Sequence, residues 1–164
     1  MSNNYIVING KKAELTKEQL KLLGIETRKN PFERVEKYSN YYRVTELNMV
    51  DEYVENCDYT DSHLRECVNY FNDKQFAEQV ALHQLLYRKL LKFAYDNGFE
   101  DTAEWNDVNK HWCLEYLHRE GCFITQVQYS IKPQGVCFSS QEGARRAVQE
   151  IVEPFMKEHP EFVW

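Results

Sequence analysis

The sequence lacks the motifs that mark most familiar functional sites. It contains no phosphate-binding loop, no G-x-G-x-x-G, no G-x-S-x-G and no H-E-x-x-H. No apolar run approaches the roughly 18 residues that a membrane-spanning helix needs. The first residues, MSNNYIVINGKK, show neither the charged start nor the long apolar stretch of a signal peptide. These absences predict a cytoplasmic protein with no membrane partner, no cofactor and no catalytic residues.

Cysteines are few and irregularly spaced. The chain has an odd number of them, Cys57, Cys67, Cys113, Cys122 and Cys137, without the spacing of a disulfide framework. Cys113 and Cys137 lie inside apolar runs. Because buried thiols are common in cytoplasmic proteins, we expect reduced cysteines rather than disulfides.

Basic residues are missing from two segments. Residues 46–61 carry six acids and no base, residues 97–109 carry four acids and no base, and the whole chain has a net charge of −6. A general nucleic-acid-binding protein needs a basic footprint, so this distribution makes direct nucleic-acid binding unlikely. Residues 1–45 are a mild exception, with nine Lys and Arg against five acids.

The overall amino-acid composition is typical of a globular protein. Of its 164 residues, 43% are hydrophobic, 28% charged and 14% aromatic, which predicts a single domain over 1–164 with a core of its own. Asn9-Gly10 predicts a hairpin turn between two short strands. Thr16 and Gln19 have capping-box spacing for a short helix that ends at Gly24. We assign residues 1–26 to this N-terminal hairpin and helix unit, and residues 27–40 to a connector.

The main body is predicted to be α+β, with two successive βββα units over 41–98 and 111–164. In each, an antiparallel sheet would pack against a helix. The first unit has predicted strands at 41–47, 49–55 and 64–71, then a long helix from a cap at Asn72 to Asn97-Gly98. The second has predicted strands at 111–118, 122–132 and 135–139, then a helix capped by Ser139 with Glu142 as its capping-box partner. Pro154 should kink or end that last helix.

A short phrase occurs at the end of both units. FNDKQFAEQVA at 71–81 and FSSQEGARRAV at 138–148 share a Phe, a polar capping residue and an Ala at equivalent places. The phrase predicts the same junction twice, where a third strand ends at the Phe and the chain turns into a helix. Either a duplication or a recurring local solution would produce it.

Several longer segments resemble a known group of proteins. KNPFERVEK, NYFNDKQFAEQVALHQLLYRKLLKFAYDNG, VCFSSQEGARRAVQEIVEPFMKEHPEFVW and ELTKEQLKLLGI resemble small uncharacterised proteins of phages and prophages of Gram-positive bacteria. That group has no assigned activity, so the resemblance implies no functional residue. It implies a context, an accessory protein of a mobile element in the cytoplasm of an infected bacterium. Cys137 and Gly143 depart from the pattern, which tends to have an aromatic and a larger residue there.

The acidic stretch 46–61 is the most distinctive segment. As a strand, it would place Asp51, Tyr53 and Glu55 on one face, followed by a polar turn. Carboxylates interleaved with tyrosines suit a basic groove on another protein, since complementary charge speeds docking and tyrosine supplies contact area. The alternative is a solvated sheet edge whose charges discourage aggregation. The predicted partner-binding residues are Asp51, Glu52, Tyr53, Glu55, Asp58, Tyr59 and Asp61.

Two weaker constellations could carry chemistry. His111, Cys113, His118 and Cys122 are residue types that zinc accepts, but their spacing matches no closed site, and an ordinary strand with a buried cysteine explains them. Asp58, Asp61 and His63 could supply a general base, but such residues also cap turns, and no nucleophile adjoins them. We therefore predict neither a metal site nor a catalytic group.

The sequence favours a protein without enzymatic activity that acts by binding a host protein. We expect this partner to be a nucleic-acid-handling defence enzyme. The chain would then be an anti-CRISPR-like inhibitor of that enzyme. One alternative is a nucleic-acid-binding accessory protein that uses exposed sheet aromatics and the basic first third. Another is a small-molecule or nucleotide-binding protein with a pocket between the two units. The aromatic content is also compatible with a homodimer.

Overall fold

The computed structural model describes residues 5–8, 11–23, 30–99 and 104–164, and over these residues the fold is α+β. Three separate antiparallel sheets are present in the described ranges. Within the same ranges, no helix combines the length and the apolar character needed to cross a membrane.

The N-terminal unit has the hairpin and helix expected from its turn and cap residues. Strands β1 (Tyr5–Ile8) and β2 (Lys11–Glu14) pair antiparallel, and helix α1 spans Lys17–Leu22. The Gln19 amide donates to Thr16 Oγ1 at 3.3 Å, and the Thr16 amide donates to Gln19 Oε1 at 2.9 Å, which completes the predicted capping box. Asn9, Gly10 and Gly24 lie outside the described residues.

The first main unit differs from the prediction in its third element. Strands β3 (Asn40–Val44) and β4 (Val50–Val54) pair antiparallel, but helix α2 (Tyr59–Glu66) follows them. The strand predicted over 64–71 is wrong, because Asp58 caps a helix that includes the start of that segment. Only Phe71 joins the sheet, through an isolated bridge to Tyr42.

The sheet of β3 and β4 packs against other elements on both faces. Helix α3 (Lys74–Asp96) lies on one face, where Val44 packs with Phe71, Ala77 and Ala81. On the other face, Tyr41 packs with Leu64 of α2 and with Tyr70. The face that carries Tyr53 and Glu55 is therefore an interior surface.

The second main unit has the predicted order of elements. Strands β5 (His111–Leu117), β6 (Cys122–Gln128) and β7 (Cys137–Phe138) form a sheet in the order β6-β5-β7. Helix α4 (Gln141–Ala147) continues through a π-helical turn at Val148–Val152 into helix α5 (Glu153–Glu158). The Glu153 amide donates to the Val148 carbonyl, five residues earlier, which is the hydrogen-bond spacing of a π-helix. The next residue is Pro154, which has no amide hydrogen to donate.

The repeated phrase marks the same local structure in both units. Phe71 and Phe138 are both buried. Phe71 pairs with Tyr42 of β3, and Phe138 pairs with Trp112 of β5. In each case the Phe lies on the edge of that strand that does not pair with the next strand, β4 or β6. The helix cap follows two residues after each Phe, so the caps are Asp73 and Ser140 rather than the predicted Asn72 and Ser139. A fully buried alanine, Ala77 or Ala144, lies four residues after each cap, where a small side chain lets the helix approach the sheet.

Helix α3 contributes to the cores of both main units. Its first half carries Ala77 and Ala81 against the first sheet. Its second half carries Leu86, Leu90 and Phe93 into the largest core cluster, together with residues from β5, β7, α4 and α5. A cavity lies between this second half of α3 and the second sheet.

Candidate partner-binding surface at the start of helix α2

The structure distributes the predicted partner-binding residues between the interior and the surface. Asp51, Glu52 and Tyr53 lie on β4, Asp58 caps α2, and Tyr59 is the first residue of that helix. Glu55 and Asp61 are buried, so the prediction that they belong to an exposed binding face is wrong. The physical reason is that α2 and Tyr70 cover the face of the sheet to which these side chains point.

The Glu55 carboxylate lies at the centre of a buried polar network. Oε1 accepts hydrogen bonds from Arg34 Nη2 at 2.6 Å and from the Cys57 amide at 2.8 Å, and Oε2 accepts one from the Tyr70 hydroxyl at 2.8 Å. The bond from Arg34 does most to lower the pKa of Glu55 to about 2, although burial acts in the opposite direction. Glu55 is therefore an ionised carboxylate whose hydrogen-bonding capacity is used inside the fold.

A second buried carboxylate holds the same loop from the other side. Asp61 Oδ1 accepts from the Tyr41 hydroxyl at 2.8 Å. Its Oδ2 accepts from the amides of Asn56 at 2.8 Å and Asp58 at 3.2 Å. Burial and the bond to Asp61 raise the pKa of the Tyr41 hydroxyl above its ordinary value, so this tyrosine stays neutral and donates.

The loop between β4 and α2 is fixed by these two carboxylates. The amides of Asn56, Cys57 and Asp58 are three successive donors, and each bonds to the side chain of Glu55 or Asp61. Asp58 also accepts from the Asp61 amide at 3.0 Å, which completes a capping box at the start of α2. Cys57 has a φ of 61°, a conformation that needs such support in a residue other than glycine.

Tyr59 projects from the end of this fixed loop. Its side chain is 83% exposed and is the most exposed tyrosine of the described chain. The ring stacks parallel to His63, one helical turn later, with 6.0 Å between ring centroids. Asp58, Tyr59 and His63 are all exposed, and we call these three residues the Tyr59 surface.

The remaining predicted residues do not join the Tyr59 surface. Tyr53 is half-buried between the Tyr41 ring at 5.9 Å and the Arg43 guanidinium at 4.5 Å. Asp51 is directly opposite Arg43 in the ladder. Glu52 is exposed, pairs with Asn40, and lies on the opposite face of β4 from Tyr53 because successive side chains alternate.

The two weaker constellations do not assemble into sites. His111 is buried and stacks on Trp105 at 3.8 Å, while Cys122 is exposed at the start of β6. In the described parts of the chain, no three His, Cys, Asp or Glu side chains are grouped to hold a metal ion. The Asp61 carboxylate is engaged by Tyr41 and by the loop amides, which removes it from general-base chemistry with His63.

A cavity of about 700 Å³ lies between α3 and the second sheet. Its walls come from both main units, and sequence reasoning placed no ligand-binding residue there because the contributing side chains are distant in sequence. The lining includes His83, Leu86, Tyr87, Leu90, Cys113, Glu115, the segment 133–136 and Trp164.

No protein-family model matches the chain, and neither a curated protein nor a solved structure is significantly similar.

Proposed function

We propose that this chain is a non-enzymatic phage or prophage accessory protein that binds a host protein through the Tyr59 surface. The observation that carries the proposal is the combination of an 83% exposed tyrosine with a loop whose successive amides are all held by buried carboxylates. The host is a bacterium, the location is its cytoplasm, and the context comes from the sequence resemblance.

A rigid loop with an exposed tyrosine suits protein binding on energetic grounds. Association costs free energy when side chains and loops must be ordered, and a loop that is ordered in advance avoids part of that cost. Tyrosine supplies a large contact area with few rotatable bonds and is enriched among the residues that dominate binding energy. The hydrogen bonds from Asn56, Cys57 and Asp58 therefore support binding at Tyr59 without contacting the partner.

Charge indicates the kind of partner. The chain carries a net charge of −6, and Asp58 adds an acidic group next to Tyr59. Complementary charge speeds encounter with a basic surface, which a nucleic-acid-handling enzyme offers. The concrete form of the proposal is an inhibitor of such a host-defence enzyme, similar in action to an anti-CRISPR protein.

The test is a comparison of matched tyrosine variants in a pull-down from nuclease-treated bacterial lysate. Wild type should retain one host protein in stoichiometric amount, and Tyr59→Ala should retain at least tenfold less, as expected for loss of a binding hot spot. Tyr95→Ala removes a ring that is 52% exposed on α3 and serves as the control, with retention like that of wild type. Equal retention by both variants, or no stoichiometric protein with wild type, would refute the proposal.

A second candidate function is small-molecule binding in the cavity between α3 and the second sheet. A volume of about 700 Å³, walls of Leu and aromatic residues, and a few polar groups such as His83 and Glu115 are typical of ligand pockets. Gly135 lines this cavity, and a Cβ added there would have no heavy atom within 4 Å. Gly135→Phe should therefore narrow the cavity at little structural cost.

Native mass spectrometry of the purified protein tests this second function. A bound small molecule should be retained by wild type and by Gly135→Ala and lost from Gly135→Phe. Protein that carries no small molecule in any of the three samples would count against it.

Direct nucleic-acid binding is the remaining alternative, and no contact of the described residues favours it. Among the sheet aromatics that this alternative needs for stacking on bases, Tyr41 is fully buried, and the half-buried Phe123 packs against Trp164 at 4.7 Å. In a parallel pull-down from untreated lysate, retained nucleic acid that disappears on nuclease treatment would favour this alternative.

A further inference from the structure

Cys113 and Cys137 face each other across two strands of the second sheet. Cys113 lies on β5 and Cys137 on β7, and the antiparallel register places them directly opposite. Their Sγ atoms are 3.1 Å apart, although the residues are 24 positions apart in sequence. Both side chains are buried, at 6% and 4% exposure, and both are thiols.

We propose that Cys113 and Cys137 form a reversible oxidation site that a peroxide-class oxidant converts into an intramolecular disulfide. Directly opposed residues in antiparallel strands have Cα atoms about 4.5–5.5 Å apart, which lies within the range that a disulfide requires. A disulfide bond is about 2.05 Å long, so each sulfur needs to move by only about half an ångström. Small side-chain rotations supply this movement without a change in strand pairing.

The oxidant reaches the pair through the cavity. Cys113 forms part of the wall of the cavity between α3 and the second sheet, whereas Cys137, opposite it on β7, is not one of the lining residues. In the first step, the Cys113 thiolate attacks one oxygen of hydrogen peroxide, which gives a sulfenic acid and releases hydroxide. In the second step, Cys137 attacks the sulfenic sulfur and displaces the second hydroxide. The protons of the two thiols convert both hydroxides into water, so two thiols and one peroxide give one disulfide and two waters.

The environment of the thiols sets the pH dependence of this reaction. The hydrogen bond with Cys137, followed by burial, raises the pKa of the Cys113 thiol above its ordinary value. Because the thiolate is the reactive species, oxidation should be slow at neutral pH and should accelerate as pH rises.

The disulfide would link the short strand β7 covalently to β5. Strand β7 has only two residues and is held by two ladder pairs, Trp112 with Phe138 and Cys113 with Cys137. Segment 133–136, which lines the cavity, directly precedes β7. Ser140, the cap of α4, lies two residues after the end of β7. A covalent link at Cys137 would close the loop from β5 to β7 and restrict the unfolded chain, so oxidation should raise the melting temperature.

The experiment uses a full-length variant in which the three exposed cysteines are replaced, Cys57→Ser, Cys67→Ser and Cys122→Ser. Only Cys113 and Cys137 then remain, and the substitutions leave the interior unchanged. The folded variant is treated with hydrogen peroxide, denatured under alkylating conditions and analysed by peptide mass spectrometry. We expect both thiols to disappear together, a peptide that joins β5 to β7, and recovery of both thiols with dithiothreitol. The melting temperature should rise on oxidation and return on reduction.

Two further variants make the result specific. Replacing Cys137 by Ser in the three-serine background should abolish both the joined peptide and the rise in melting temperature. Replacing Ser139 by Cys in a chain that retains Cys113 and lacks Cys137 is the matched control, since position 139 lies outside the ladder with β5. Thiols that persist after treatment, peptides that join two chains, or oxidation that dithiothreitol does not reverse would overturn the proposal. None of these outcomes depends on partner binding at Tyr59.

Discussion

Glu55 and Arg34 form an ion pair in which the carboxylate is fully buried and the guanidinium is about one-third exposed, with 2.6 Å between Nη2 and Oε1. Arg34 belongs to the segment that the sequence predicts to be a connector. Over residues 30–39 this segment contacts the first main unit closely: the Val35 amide donates to the Tyr70 hydroxyl at 3.2 Å, and the Tyr38 amide donates to the Glu55 carbonyl at 2.7 Å. The segment is part of the support for the loop that carries Tyr59.

Removal of the Arg34 guanidinium should destabilise the fold strongly. Arg34→Met keeps the length of the side chain but leaves the buried Glu55 carboxylate without its cation, so we expect it to lower the free energy of unfolding by clearly more than the control variant does. Urea denaturation measures this value. Arg65→Met, at an exposed position in α2, is the control and should cost less than about 1 kcal/mol. A cost for Arg34→Met no larger than for the control would contradict a stabilising ion pair between Arg34 and Glu55.

The Glu55 network should also make stability depend on pH in the acid range. The folded-state pKa of Glu55, about 2, lies below the ordinary value of 4.5. The ionised carboxylate therefore stabilises the fold above about pH 4.5, and this contribution is lost as pH falls towards 2. The total loss from this group is on the order of 3 kcal/mol. In Glu55→Gln the free energy of unfolding should start lower at neutral pH and should fall less over that interval; parallel curves for the two proteins would exclude the assignment.

Two of the tyrosines should resist ionisation in the native state. Burial is the main cause that raises the pKa of Tyr70 to about 12, and burial together with Asp61 raises that of Tyr41 further. Their neutral forms stabilise the fold below about pH 10, and this contribution disappears as pH rises through the folded-state values. Ultraviolet titration at about pH 11 should count fewer tyrosinates in native protein than in urea-unfolded protein, because Tyr41 and Tyr70 stay neutral in the fold. In Tyr41→Phe this difference should fall by about one, and an unchanged difference would contradict the assignment.

Alanine substitutions at Ser139 and Ser140 should show which of the two serines caps α4. Ser140 Oγ accepts from the Gly143 amide at 3.0 Å, so Ser140→Ala should lower the free energy of unfolding by about 1 kcal/mol. Ser139 Oγ makes only a long contact of 3.5 Å with the Asn97 carbonyl, so Ser139→Ala should cost less than half of that. Thermal and urea denaturation of the two variants compare them directly. The reverse order would place the cap at Ser139.

Local signals in the sequence predict much of the fold. The capping box at Thr16, strands β5 and β6 and the long helix α3 follow from turn residues, alternation and helical spacing. The sequence predicts the caps at Asn72 and Ser139, one residue before the observed Asp73 and Ser140, because all four are capping residue types. It does not predict helix α2, although Asp58 and Asp61 have the spacing of a reciprocal cap, because the acidic and polar residues of 57–63 also favour a turn.

The candidate site was only partly predictable for a different reason. Tyr59 is exposed, but Glu55 and Asp61 are buried by partners that are distant in sequence. Arg34 is 21 residues from Glu55, and Tyr41 is 20 residues from Asp61. Carboxylates are rarely buried without such partners, so a sequence pattern alone favours their exposure. Only the fold brings the pairs together.

The most direct test of the proposed function is site-specific photo-crosslinking inside the bacterial host. A benzophenone amino acid at position 59 should give one discrete crosslinked product with a host protein, because this position is 83% exposed on the Tyr59 surface. The same amino acid at position 95, an exposed tyrosine of α3, should not give that product. A host protein captured from position 59 alone is the result that the account predicts. No product at position 59, or the same products from both positions, would contradict it.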